Sequence, residues 1–528
     1  MRLINTATLR LQEFFDSERP KYAILSHTWG KEEVSLQEWM KRTASIEAKS
    51  GFDKIIYACR VARRQGHDYL WVDTNCIDKK SSAELSEAIN SMFSWYRASE
   101  VCYAYLEDFP EGAPTKDMSR CRWFTRGWTL QELLAPQLVT FFNAKWESVG
   151  TKTELCNIIR EATGIGIATL CDPTAIDEAC AAKKMSWASS RQTTRLEDMA
   201  YCLLGLFDIS MPLLYGEGNN AFRRLQEEIM SVSTDQSLFA WDWPSALPDS
   251  YNQGKHLVTI LAPSPSAFEK CHVVRSHRQI DESPGFSMTN FGLKIAMPLL
   301  VGEPGAYFGV LACGYETHED SRICIPLSYC GTQGVFHRDD SRGFILLPTL
   351  YLPRDLTLIS FPRHSQPEGK LPQAYLRPGY REVSLLLFPL HDTLKYWKIH
   401  TSWGHLRTSQ RMLVERENIT YDIWTESIIA RSRKNDRQWV FIILWTPELD
   451  RWHLCAERYY GDFYDDVDDK ILKRAVRNAH FTESLSASRG DLSLSVGNRY
   501  AMVNDAGGRC VPLFLDRVPA DTVAIRQR

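Results

Sequence analysis

Tyr22-Ala-Ile-Leu-Ser-His-Thr-Trp-Gly30 is the stretch on which the fold turns. A short apolar run stops abruptly at Ser26 and His27, then turns at Trp29-Gly30. A run of that length with a polar terminus reads as a buried strand that delivers side chains to its C-terminal end. In open α/β sheets, ligands bind just outside that end. Working outward, Ile55, Ile56, Cys59 and Ala62 fall at helical spacing within residues 52–65. A second strand follows at Tyr69–Asp73. Leu85, Ile89, Met92, Phe93 and Tyr96 then form one apolar helical stripe, with Ser82 as its expected N-cap. Val101–Leu106 reads as a third strand, about 123–134 as a helix ending before Pro136, and Leu138–Phe142 as a fourth strand. Alternating strand and helix predicts a parallel sheet with crossover helices over residues 1–150.

The pattern then changes. Residues 151–243 read as a helical segment, with helices expected at Glu154–Ala162, at Thr194–Phe207 and around Phe222, Leu225 and Ile229. After Trp243-Pro244, residues 244–256 read as a linker. Short β-rich runs with turn residues between them follow in two blocks, 257–361 and 382–528. They are separated by a Pro-, Gly- and charge-rich stretch at 362–381, with a short helix near 469–479. The patterning is that of a sandwich or barrel, with the second block either part of the same sandwich as the first or a separate β-rich segment.

The bulk numbers bound the function. At 528 residues, the chain is long enough for two to four domains. Net charge is −3, from 62 Lys+Arg against 65 Asp+Glu, so there is no broad basic field for a nucleic acid. No apolar stretch of 18 residues exists to span a membrane, and the N-terminus lacks the apolar core of a signal peptide. The expected location is cytosolic. The 14 cysteines show no C-x-x-C pair, so reduced, mostly buried thiols are expected and no zinc site is indicated. Gly216-Glu-Gly218-Asn-Asn-Ala221 has the loose G-x-G-x-x-A form but follows no strand of a βαβ unit, and reads as a turn before a helix. The P-loop pattern, H-E-x-x-H and G-x-S-x-G are absent. The acidic run Asp462–Asp469 lacks EF-hand spacing and reads as a solvated loop.

The candidate site lies at the strand ends. A parallel sheet brings Ser26, His27 and Asp73 to one edge. Arg126-Gly-Trp-Thr-Leu-Gln-Glu132 adds a carboxylate, Glu132, four residues after Trp128 on one helical face, with Arg126 beside it. A carboxylate next to an aromatic ring could hold a ribose and face a cationic base. Each of these residues also has an ordinary explanation as a strand cap, a turn residue or a surface ion pair.

These pieces carry a resemblance. Met1-Arg-Leu-Ile-Asn-Thr6, Tyr22–Gly30, Trp71-Val-Asp-Thr-Asn-Cys-Ile77, Ile89-Asn-Ser-Met-Phe-Ser-Trp-Tyr96 and Arg126–Glu132 occur in order. Over about residues 1–150 the chain resembles fungal heterokaryon-incompatibility (HET) domain proteins. That class is tied to self/non-self recognition and programmed cell death. Asp78-Lys79 departs from the family, which usually shows a Gln there. Residues 187–243 look like the helical segment that often follows this domain. The resemblance implies a flavodoxin-like fold, which HET domains share with TIR domains. Some TIR domains cleave NAD with a Glu in a Trp-Cys-x-x-Glu motif. Trp128 and Glu132 fit that spacing, with Thr129 in place of the Cys. On this analogy Glu132 is the catalytic residue, and Ser26, His27, Asp73, Trp128 and Arg126 line the site. NAD is then a substrate, and no cofactor or metal is implied. The alternative is a non-enzymatic signalling or assembly module. It would act through other incompatibility or signalling proteins, or through self-association.

Overall fold

The structure is a computed structural model. It describes residues 1–15, 18–242, 260–277, 285–302, 306–330 and 334–339, and from there to Arg517 shorter stretches that are mostly β-strand. The chain forms two compact units. One is Met1–Ala246 with Leu261–Ser287, and the other is Leu247–Ile260 with Met288–Arg528. The expected linker at 244–256, the divider at 362–381, the helix near 469–479 and the acidic run at 462–469 lie outside the described residues, apart from Pro362 at one end of the divider and Ala475 inside the helix range.

The first unit is built on a seven-stranded sheet. In chain order its strands are β1 (Arg2–Asn5), β2 (Leu11–Glu13), β3 (Ala23–His27), β4 (Tyr69–Trp71), β5 (Val101–Tyr105), β6 (Val139–Phe142) and β7 (Ser148–Thr151). The spatial order is β2-β1-β4-β3-β5-β6-β7. The four strands read from the sequence are its centre, and they pair in parallel. The expectation of a purely parallel sheet needs correction. β1 and β2 add an antiparallel ribbon beside β4, and β7 pairs antiparallel with β6. These three strands were missed because they are three or four residues long and lack the continuous apolar run of a central strand.

Every residue of β3 is buried, as expected of a strand covered on both faces. On one face lies α1 (Ser50–Arg64), whose Gln65 cap accepts a hydrogen bond from Tyr103 on β5. On the other face lies α2 (Ser82–Arg97). Its Tyr96 hydroxyl donates to the Leu25 carbonyl at 3.2 Å. Ser81 caps α2 by accepting from the Glu84 amide, so the cap sits one residue before the predicted Ser82. Trp39, Trp71, Trp123, Tyr22, Tyr96 and Tyr103 are all fully buried. Each contributes roughly 1.5–3 kcal/mol or more through burial.

The expected helix at 123–134 is broken in two. A 3-10 turn covers Arg122–Thr125, the chain extends at Arg126, and an α-helix runs from Thr129 to Leu134. The helix expected at Thr194–Phe207 also shortens. It becomes one turn at Asp198–Tyr201 and a 3-10 turn at Leu204–Leu206. Glu154–Ala162 appears as Cys156–Thr163, and the helix carrying Phe222, Leu225 and Ile229 spans Asn220–Val232. Gly216 and Gly218 adopt positive φ, and both their amides donate to Glu197 Oε1 at 2.8 and 3.0 Å. A side-chain carboxylate thus fills the loop that a phosphate would need.

The second unit is β-rich. Gly292–Gly302, Ala306–Val310, Ser321–Tyr329 and Leu356–Pro362 lie in one sheet, with antiparallel pairing. Trp397–Thr401, Gln410–Arg416, Ile419–Ser432, Gln438–Thr446 and Arg451–Arg458 form a five-stranded antiparallel sheet. Val383–Pro389 and Arg509–Arg517 pair in parallel in a further sheet.

Candidate functional site

Alternation along β3 decides how the predicted residues are grouped. Successive side chains of a strand point to opposite faces, so Ser26 and His27 cannot share one pocket wall. Ser26 faces α2 and the short helix Thr129–Leu134. His27 faces α1, and its register partner is Tyr105 on β5. The single predicted site is therefore two clusters back to back across the sheet.

The inner cluster centres on Glu132, which is 8% exposed. Trp123 Nε1 donates to Ser26 Oγ at 2.7 Å, and Ser26 Oγ in turn donates to Glu132 Oε2. Burial pushes the Glu132 carboxyl up to about 8, and the Asp73 charge adds to the rise. Hydrogen bonds from Ser26 and Tyr96 and the nearby Arg126 pull the other way and are outweighed. At neutral pH this carboxyl is mainly protonated.

A six-residue helix is too short to hold itself, and two buried cations clamp it. At its start, Arg191 Nη1 donates to the Arg126 carbonyl at 2.8 Å and to Thr129 Oγ1 at 2.9 Å. At its end, Lys152 Nζ donates to the Leu133 and Pro136 carbonyls at 3.2 and 2.7 Å, satisfying groups that a helix terminus leaves free. Burial lowers Arg191 to about 10 and Lys152 to about 8. The segment bearing Arg191 lies against the 125–127 backbone. The Gly127 amide donates to the Gln192 carbonyl, and the Gln192 amide donates to Thr125. A Cβ at Gly127 would meet Thr193 Cγ2 at 2.5 Å, so a larger residue there would force Thr193 to shift.

The outer cluster surrounds His27. Its Nε2 lies 3.6 Å from Glu33 Oε2 and 3.9 Å from Asp73 Oδ1, and neither ring nitrogen has a hydrogen-bond partner. Burial alone would raise Glu33, but His27 and Lys54 together hold it down at about 2. Lys54 Nζ sits 2.6 Å from Glu33 Oε1. Asp73 Oδ2 accepts from Trp29 Nε1 at 2.9 Å and lies 3.6 Å from Lys79 Nζ. Asp73 therefore touches the outer cluster directly and acts on Glu132 through its charge.

The remaining predicted residues are placed differently. Trp128 bonds to Asp198, a carboxyl raised by burial that also accepts from Tyr215 at 3.0 Å. Arg126 donates to Thr194 Oγ1 at 3.3 Å and reaches Glu132 only through its field. Glu33, Trp29, Lys54 and Lys79 were missed, although Trp29 lies inside the opening motif and Glu33 just after it. Arg191 was missed because nothing local marks it. Among the described residues, no group of three or more His, Cys, Asp or Glu could hold a metal ion. No helix among them is long and apolar enough to cross a membrane.

Comparison with known proteins agrees with this layout. The heterokaryon incompatibility protein (HET) family pattern matches residues 22–113, which carry β3 to β5 and the outer cluster. A domain of unknown function (DUF8212) matches residues 220–300. Vegetative incompatibility protein HET-E-1 of Podospora anserina is 44% identical over 219 residues, covering 40% of this chain. The match spans only 16% of that relative's length. No solved structure matches the chain. With this match, the opening motif and the parallel strands that carry it, the chain is a heterokaryon-incompatibility (HET) domain-containing protein.

Proposed function

We propose that the chain acts in incompatibility-type self/non-self recognition and regulated cell death in the fungal cytosol. In this reading the first unit is the effector, and it cleaves the nicotinamide–ribose bond of NAD. The observation that carries it is Glu132, a buried carboxyl hydrogen-bonded to Ser26 at the C-terminal end of a central parallel strand. The order β4-β3-β5-β6 corresponds to 2-1-3-4 among the parallel strands. This is the order of flavodoxin-like sheets, whose ligands sit where the order reverses. It supports the TIR-like comparison, and fold alone does not assign chemistry.

The chemistry suits one carboxylate. Nicotinamide leaves the cationic N-glycoside as a neutral molecule with its bonding electron pair, so it needs no proton. Water adds to the ribose carbon and loses a proton to solvent. Glu132, once ionised, would stabilise the oxocarbenium-like transition state, a simpler scheme than the paired carboxyls of ordinary glycosidases. A pyridinium placed beside Glu132 would favour that ionisation, because an opposite charge lowers a carboxyl's pKa. Ser26 holds the carboxyl, while His27 and Asp73 present polar atoms on the open side. The assay is NAD loss with nicotinamide release by the full chain at high concentration, beside Glu132→Gln. Equal turnover by both proteins would remove Glu132 from the mechanism.

Burial favours a second reading. Ser26 is fully buried, so the Trp123–Ser26–Glu132 chain also suits a structural tie inside a signalling module. The unit would then act by assembling with other incompatibility proteins or with itself. Concentration-dependent self-association with no NAD loss would support that reading.

A further inference from the structure

We infer that the exposed corner formed by Trp29 and Asp73 is a binding site for an aromatic organic cation of the pyridinium class, and that Lys79 is its built-in occupant. The inference goes beyond the NAD reading: the corner belongs to the outer cluster, across the sheet from Glu132, and would hold a pyridinium ring apart from the bond cleaved there.

Three contacts define the corner. Lys79 Nζ lies 3.5 Å from the centroid of the Trp29 ring, on its face. The same ammonium is 3.6 Å from Asp73 Oδ2. That oxygen also accepts from Trp29 Nε1 at 2.9 Å, which fixes the indole and the carboxylate relative to each other. An aromatic face beside a carboxylate is how proteins recognise organic cations, because the ring quadrupole and the anion both attract positive charge. Trp29 is 50% exposed and Asp73 is partly exposed, so a solute can reach both.

A second observation points inward from the same corner. The His27 ring is buried; its Nε2 stands 3.6 Å from Glu33 Oε2 and 3.9 Å from Asp73 Oδ1, beyond hydrogen-bond distance of both, and its Nδ1 has no hydrogen-bond partner. Buried polar atoms are nearly always satisfied. A ligand carrying hydrogen-bonding groups beside its cationic ring, such as the carboxamide of a nicotinamide, would give them partners.

To leave, Lys79 gives up only its cation–π contact with Trp29 and its ion pair with Asp73. Its side chain is one-third exposed and can swing into water. While docked, it occupies the ring face and pairs with the carboxylate, so it competes with any incoming cation. Replacing it by Gln would remove the ammonium from the ring face and from Asp73.

The test is calorimetric binding of 1-methylnicotinamide, a permanent pyridinium, to the full chain. Lys79→Gln is expected to bind it about 3- to 30-fold tighter than the unaltered protein, the range that a cation–π contact plus an exposed ion pair would withhold. Lys80→Gln changes the charge equally at a neighbouring exposed position. It is expected to leave the affinity unchanged within twofold. Neutral nicotinamide should gain nothing from Lys79→Gln, and adding Trp29→Leu to that variant should abolish the gain. An equal gain from Lys80→Gln, or a Lys79→Gln affinity within twofold of the unaltered protein, would overturn the inference. Binding with this pattern but no NAD loss would sink the cleavage reading alone. NAD loss without this pattern would sink the cation site alone.

Discussion

Glu132→Gln should remove one pH-dependent contribution to the stability of the first unit. Burial raises this carboxyl from the ordinary 4.5 to about 8 in the folded protein. The folded state therefore holds a proton between those values that the unfolded state has released. Stability is fully present below about pH 4.5, falls as pH rises through that window, and levels off above 8. Each unit is worth about 1.4 kcal/mol, so the whole fall is at most about 5 kcal/mol. Relaxation and water entry bring it to roughly 3–5 kcal/mol. Gln is isosteric, stays neutral throughout, and offers Oε1 to the Ser26 hydroxyl. The two proteins should differ little near pH 4, and the variant should gain roughly 3–5 kcal/mol by pH 9. Because the chain has two units, a single bulk transition would mix them. Urea unfolding read by pulse proteolysis, with fragments of residues 1–246 followed by mass spectrometry, isolates the first unit. Other titrating groups cancel in the difference. A difference constant within about 0.5 kcal/mol from pH 5 to 9 would show that the carboxyl is not held neutral, and the argument from burial would fail.

Three further outcomes follow from the same geometry. If ionised Glu132 is the catalytic group, kcat/KM for NAD should rise about tenfold per pH unit below about pH 8 and level off above it, and a kcat/KM flat from pH 6 to 9 would remove that role. Arg191→Met should cost about 2–5 kcal/mol by unpairing the Arg126 and Trp187 carbonyls, and a thermal midpoint lowered by less than about 2 °C would show that the clamp carries little. Gly205→Ala should cost about 1–3 kcal/mol or more, because the new Cβ would lie 2.0 Å from Phe93 Cβ, close to the backbone of α2 where little can yield. Its measure is the urea midpoint of the first unit, and a midpoint equal to that of the unaltered protein would mean that α2 shifts freely.

How much of this was legible depends on the range of the interaction. The four central strands were readable because each is an apolar run buried on both faces, and α2 because its stripe repeats at 3.6 residues. The broken helix at 123–134 was not, because Gly127 is there for a neighbour 65 residues away, and no local pattern records that approach. Arg191 is the same case. A buried arginine looks like any surface arginine in the sequence, and its role exists only once the 187–193 segment packs against the Glu132 helix.

The division of the site is a different kind of miss, because the information was present. Period-two alternation assigns Ser26 and His27 to opposite faces with no tertiary knowledge. The continuous burial of β3 hid it, since a strand covered on both sides shows no apolar–polar alternation to read. Applying the rule to the polar residues alone would have separated a protected carboxyl behind the sheet from a charged, partly exposed cluster in front of it. The separation matters chemically. A carboxyl stays neutral at pH 7 only where water is excluded, whereas recognition of a charged solute requires groups that water can reach. Adjacent residues of one strand meet both requirements by facing opposite ways, and Asp73 at the strand edge is the charge that both clusters feel.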